Sequence, residues 1–430
     1  MRAIGWRGGA RRRRVPAEPA ISGGSGGSPP RVNTTDLSGL AIGYLVGSTA
    51  GGTGQHVRML ASGCAARGAT VTLYGPASLA SAIPGGRPPG PADRRSAASG
   101  AEPPRPGEPG SLHFRELDIG DRPRPARDAR VVARLRRWLG QHPLDVLHAH
   151  GLRAGALAAL ALAGKPAQRT ALVVTVHNAA PPGQPAAAVY AALELIVARR
   201  ADAVLPVSGD LTARLHRRGA PIAGLAVVAA PDTPAPRADQ VAAVRRELAG
   251  AGRPVVLAAG RLAVQKGFST LLDAAARWQR RDPVPLLVIA GDGPLGPALR
   301  AQAAAAGTDV RFLGARPDVP VLLAAADVVV VPSSWEGQPL IVQEALRAGR
   351  PLVASRAGGI ADLTGADGAL LVPPGDPRVL AAAVTGLLDD PREAAALAGA
   401  ARRRAATLPG EAAAVDQAAA VYLGLGRPGQ

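Results

Sequence analysis

Several short apolar runs that fail to alternate constrain this chain more than any other feature. Residues 40–46, 146–149, 171–177 and 203–207, and later 255–259, 286–290, 328–331, 352–354 and 370–372, are almost unbroken apolar stretches. A strand with one wet face alternates polar and apolar side chains. A strand covered on both faces does not, which is the habit of parallel strands flanked by helices. Helical stretches separate the runs, at 131–140, 154–163, 186–199, 211–217 and 269–279. Further strands are read at 70–74, 226–228 and 310–313. With 430 residues the chain exceeds one comfortable core.

The predicted fold class is α/β, two doubly wound Rossmann-like domains facing a central cleft. Three prolines within residues 231–237 mark a linker, taken as 231–240. The first domain is placed at 38–230 and the second at 241–410, with a terminal helix in 411–430 packing back on the first. Residues 1–37, rich in Arg, Gly, Ser and Pro, are expected to be disordered, and 77–110 to be a flexible surface insertion. Ligands of such sheets bind outside the carboxyl ends of the strands.

Composition narrows the setting. The net charge is +18, but arginine, alanine, glycine and proline are enriched throughout, so a solvated basic surface is expected and no nucleic-acid partner. An anionic membrane face remains a suitable peripheral partner for that surface. Cys64 is the single cysteine, which excludes an internal disulfide and fits a reducing, cytoplasmic setting. No apolar run reaches the ~18 residues of a membrane helix. The arginines at 11–14 are followed by Pro and Glu, unlike a signal peptide.

Candidate chemistry gathers at strand ends. Gly51, Gly52, Thr53 and Gly54 open a helix and offer N–H groups to a phosphate. They match neither the dinucleotide fingerprint nor a P-loop, and a plain tight turn reads equally well. His148 and His150 share a face of one strand and His177 ends the next. Two histidines are too few for a metal site, and none is expected. Arg261 and Lys266, after the run 255–259, suit a diphosphate: a planar fork and a mobile point charge. Glu336 lies in a loop and Glu344 in the first turns of the next helix, so both can be aimed into one cleft. Helix-start acidic residues favoured by the dipole are the bland alternative.

These motifs, in this order, resemble the retaining family 4 glycosyltransferases of GT-B fold. The resemblance is carried by G-R-x(4)-K-G at 260–267, A-G-D-G-P at 290–294, F-L-G at 312–314, the E-x(7)-E pair Glu336 and Glu344, and segments 354–359 and 371–374. It covers roughly residues 40–425 and is closer in the second half. It implies transfer of a hexosyl-type sugar, with retention and without metal or cofactor, from a UDP or GDP sugar. The acceptor would be a glycan, a lipid-linked or a phosphorylated molecule of bacterial envelope synthesis.

Residue by residue, it gives Gly260, Arg261 and Lys266 the donor diphosphate and Glu344 the ribose. Glu336 would hold the transferred sugar, Phe312, Leu313 and Gly314 the base, and His150 a sugar hydroxyl and the phosphate. Gly52 and Thr53 would approach the diphosphate from the first domain, and Gln338 and Leu340 would line the donor site. Gln338 and Pro339 stand where the family has Phe-Gly, and residues 229–232 replace its Pro-Asn-Gly. A hydrolysing sugar-nucleotide 2-epimerase and a non-catalytic nucleotide-sugar-binding protein are the competing readings.

Overall fold

The computed structural model describes residues 36–47, 52–82, 110–120, 124–164, 170–177, 186–249 and 252–425. The expectations about residues 1–35 and 83–109, and the part of the glycine loop at 48–51, lie outside the described residues. Two six-stranded sheets organise the chain. The first joins β1 (Ala41–Val46), β2 (Thr70–Gly75), β3 (Leu112–Glu116), β4 (Val146–His150), β5 (Ala171–Val176) and β6 (Ala203–Pro206) in the order β3-β2-β1-β4-β5-β6. The second joins β7 (Val255–Ala259), β8 (Leu286–Ala290), β9 (Val310–Gly314), β10 (Val328–Val331), β11 (Leu352–Ser355) and β12 (Leu370–Val372) in the order β12-β11-β10-β7-β8-β9. All these pairings are parallel.

The unbroken apolar runs follow directly from this. β8 is buried along its whole length, and the second sheet carries separate apolar clusters on its two faces. β3 escaped the sequence reading because it is a half-exposed edge strand whose LHFRE sequence has no apolar run. Residues 226–228 are not a strand. They are extended, and their backbone groups bond to side chains and to Pro206 O instead of a ladder.

Other boundaries also move. Leu37, expected in the disordered arm, is fully buried and its N–H donates to Arg67 O at 2.9 Å. The expected insertion begins with a 3-10 helix, Ala77–Ala82, anchored by buried Leu79. The helix Ala238–Ala249 starts inside the span read as linker, two residues past the last proline, Pro236.

Helix starts are often explicit in sequence. Asp376 and Asp390 each precede a proline at the first helical position and accept two backbone N–H groups, capping Pro377–Asp389 and Pro391–Thr407. The last helix, Glu411–Gly424, presents Ala414, Val415, Ala418, Ala419 and Tyr422 on one face. That face enters the first domain's core beside Val57, Ala61 and Cys64 of the helix Gly52–Ala65. Arg67 and Asp416 add an ion pair of 2.5 Å at its edge.

Candidate functional site

Each sheet reverses its winding once. In the first, β2 lies on one side of β1 and β4 on the other; in the second, β8 and β10 flank β7. The crevices at these reversals open at the carboxyl ends of β1 with β4 and of β7 with β10. Gly47, His150, Gly260 and Arg261 stand there, and together with Lys266 and Glu336 they line one cavity of about 480 Å³ between the halves.

The ion pair of Lys266 and Glu336 is its charged centre. Lys266 Nζ donates to Glu336 Oε1 at 2.5 Å, and Ser333 Oγ donates to the same oxygen at 2.8 Å. Glu336 is only 6% exposed, whereas Lys266 keeps part of its side chain open. The two loops are stitched by Ser334, whose N–H donates to Gln265 O at 2.8 Å. Gly267 lets them come this close. Its φ is +66°, and a Cβ there would stand 2.0 Å from Pro332 O. Arg261 is exposed on the same wall.

Opposite lies a histidine cluster. His150 Nδ1 is 3.0 Å from His177 Nε2, and the His148 and His150 rings lie 4.3 Å apart, on one face as the strand period requires. His56, from the helix Gly52–Ala65, meets the rings of His150 and His177 edge-on. Burial and neighbouring imidazoles hold all four neutral. His148 is lowered to about 3, by burial and then His177, and His177 to about 4 by burial. His56 and His150 are lowered strongly, again by burial first. His150 Nε2 finds no hydrogen-bond partner among the described residues, although His150 borders the cavity.

Behind the cluster runs a buried polar chain. His148 Nδ1 meets Tyr422 Oη at 2.6 Å, and the Tyr422 hydroxyl donates to Tyr44 Oη at 3.0 Å. With that proton spent, the Tyr422 oxygen accepts from His148 Nδ1–H. The neutral ring then accepts at Nε2 from the Thr175 hydroxyl, 2.7 Å away. Tyr44 Oη also contacts Cys64 Sγ at 3.3 Å, and burial pushes that thiol up to about 11.

The remaining expected site residues divide. Gly52, Thr53, Gln338 and Leu340 line the same cavity, with Gly52 against Leu340. The Gln338 amide, however, is already bonded to first-domain backbone. Phe312, Leu313 and Gly314 close β9 and are not among the cavity's lining residues. Arg300 stacks on the Phe312 ring at 4.7 Å, and Gly314 O accepts from Gly291 N–H at 2.7 Å. Glu344 does not share the cleft with Glu336. It faces a separate hollow of about 770 Å³ beside Thr233, Arg245 and Arg347. The expectation of one shared cleft fails because Glu344 sits on the second turn of the helix Leu340–Ala348, past the loop that turns Glu336 inward. Burial pushes the Glu344 carboxyl up, opposed by Arg347.

Sequence reasoning passed over Ser333, His56, Trp335 and Tyr422. Trp335 Nε1 donates across the cleft to Asp210 Oδ2 at 3.0 Å. Burial acts to raise the Asp210 carboxyl, but the nearby Ser208 hydroxyl, the Trp335 N–H and backbone N–H groups outweigh it and lower it. His56 had a signal, since it lies four residues, one helical turn, after Gly52. Among the described residues no group of three His, Cys, Asp or Glu could hold a metal ion, and no helix is long and apolar enough to cross a membrane.

The fold and this two-walled cleft define a GT-B-type protein, and the comparisons agree. A family model described as glycosyl transferase 4-like domain matches residues 51–231, and one described as glycosyl transferases group 1 matches 253–390. A GDP-mannose-dependent alpha-(1-6)-phosphatidylinositol monomannoside mannosyltransferase of Mycolicibacterium smegmatis is 31% identical over 291 residues, 63% of this chain and 74% of the relative. An alpha-D-kanosaminyltransferase of Streptomyces kanamyceticus is 36% identical over 185 residues, 40% of this chain and 46% of the relative. The chain thus spans less than half of that relative's length. The solved structure of Anabaena HepE with UDP-glucose has a TM-score of 0.69 at 22% identity, covering 89% of this chain and 99% of that one. Sucrose-phosphate synthase from Thermosynechococcus elongatus has a TM-score of 0.70 at 23% identity, covering 90% and 99%. The chain belongs to the GT-B glycosyltransferases built from these two domains.

Proposed function

We propose that the chain transfers a hexosyl sugar from a nucleoside-diphosphate sugar to an acceptor, with retention of configuration and without a metal. The observation that carries this is one cavity at two sheet reversals, lined by the Lys266–Glu336 pair and by His150, whose buried Nε2 has no hydrogen-bond partner among the described residues. Arg261 and Lys266 neutralise the diphosphate as it departs, a fixed electrostatic contribution that takes the place of a divalent cation. Gly52 and Thr53 bring backbone N–H groups from the opposite wall. Glu336 accepts from sugar hydroxyls, and His150 Nε2 binds an outer hydroxyl of the sugar. Phe312 to Gly314 hold the base.

The acceptor attacks from the face the diphosphate leaves, so neither glutamate serves as nucleophile and retention follows without a covalent intermediate. Support for the donor class comes from HepE, solved with UDP and UDP-glucose, and from the GDP-mannose-dependent relative. We extend the reading to a lipid-linked or phosphorylated acceptor at the cytoplasmic face of an anionic membrane, which the +18 charge suits. Nucleoside-diphosphate release from a panel of UDP and GDP sugars, with and without bacterial lipid extract and EDTA, tests it. Release with one donor, stimulated by extract and indifferent to EDTA, is expected. No release with any donor refutes the reading, and free epimerised sugar would make the protein an epimerase instead.

A further inference from the structure

Residues 225–231 run extended toward the linker without joining a strand, yet a row of side chains serves their backbone. Gln417 accepts from Val227 N–H and donates to Leu225 O, both at 2.8 Å. Gln338 accepts from Val228 N–H at 3.0 Å and donates to Ala226 O at 2.5 Å and Val207 O at 3.2 Å. Gln343 accepts from Ala230 N–H at 2.9 Å and donates to Val228 O at 2.7 Å. In each case one amide spans the C=O of one residue and the N–H of the residue two further on. A residue of a neighbouring parallel strand makes the same pair of bonds, so Gln338 and Gln343 stand in for a missing strand on one edge while Gln417 serves the other.

Gln417 comes from the helix already packed on the first domain, but Gln338 and Gln343 come from the second half. Gln338 differs again, because it borders the cleft two residues after Glu336. Both of its N–H donors are spent on first-domain backbone and its carbonyl already accepts from Val228, which leaves no N–H for a donor sugar. Trp335 to Asp210 holds the other side of the same loop.

We propose that Gln338 is a positioning residue: it fastens the Glu336 loop to segment 225–231, so that Lys266 and Glu336 face His150 only while that segment is seated on the glutamine row. Only the kinetic part of this rests on the glycosyl-transfer reading. The geometric part stands alone.

The test uses the full chain with spin labels at R217C and R378C, exposed positions in the two halves; the native Cys64 is buried and stays unlabelled. Gln338→Leu keeps the shape and removes all three bonds. Gln338→Glu keeps the acceptor but sets a carboxylate against two carbonyl oxygens, and Gln338→Asn keeps the amide one methylene short should the others lose a cooperative melt. A broadened label-to-label distance is expected in each folded variant. Nucleoside-diphosphate release at saturating donor should fall at least about 10-fold, while the dissociation constant for UDP or GDP stays within about twofold. An unchanged distance distribution overturns the proposal. So does nucleotide affinity that falls in step with turnover, since Gln338 would then be a donor ligand. Absence of any release from the unsubstituted chain would refute the glycosyl-transfer reading alone, and the distance measurement would still decide this one.

Discussion

Glu336 is nearly buried and is held by two donors on one oxygen, Lys266 and Ser333. The Lys266 ammonium is therefore compensated, and on the proposed reading a diphosphate would compete for it. Glu336→Gln should lower kcat/KM for nucleoside-diphosphate release by about 10²-fold, the usual range for a lost transition-state contact. Lys266→Ala should cost a similar factor, and the double variant little more than either, because the pair acts as a unit. Strictly multiplicative losses in that cycle would show that the two act separately.

The histidines make a second prediction at this scale. Their folded values lie below the unfolded 6.5, so the unfolded chain binds more protons between those limits. Stability is therefore present above pH 6.5 and is lost as pH falls toward about 4 to 3. At pH 5 His148 and His177 should each cost about 2 kcal/mol relative to pH 7. Urea midpoints at pH 7, 6 and 5 check this, and a flat profile would contradict it. The residue types were legible in sequence because charges beside glycines at strand ends mark them. The ion pair between positions 266 and 336 was not, since nothing local brings two loops 70 residues apart together.

Among the elements, the helix Glu411–Gly424 contributes most beyond its own length. Tyr422 is 1% exposed and joins His148 to Tyr44. Tyr422→Phe keeps the ring and leaves His148 Nδ1–H unpaired in the core, a loss of about 1–3 kcal/mol in a denaturant melt. A change below about 0.5 kcal/mol would show the hydroxyl to be dispensable. Central strands could be read from sequence because burial on both faces erases alternation, as in β8. β3 could not, because its solvent-facing side chains are chosen by water and carry no apolar run. Residues 226–228 misled in the opposite sense. They are as apolar as a strand because they are largely buried, but glutamine amides, not a ladder, bond them.

For the molecule as a whole, the relation of the two halves decides whether a site exists. Gly337 touches the first domain: a Cβ there would lie 2.4 Å from Val207 Cγ2. Gly337→Ala should therefore wedge the cleft and lower nucleoside-diphosphate release roughly 10-fold or more. Its thermal midpoint should fall only modestly, because the methyl meets a single residue of the first core, Val207; equal turnover would show that the contact does not set closure.

By itself the sequence determined two parallel α/β units, the proline-rich junction and the chemical types at the strand ends. Those properties follow from local patterns: apolar periodicity, helix caps, and charges beside glycines. Only the tertiary structure decided which residues share a cavity. It parted Glu344 from Glu336, brought His56 to His150, and gave Gln338 to the first domain's backbone. The physical reason is that a side chain's partner across a cleft is set by how two finished sheets dock. That docking rests on interdomain apolar contacts and hydrogen bonds between residues far apart in the chain, which leave no periodic mark in the sequence.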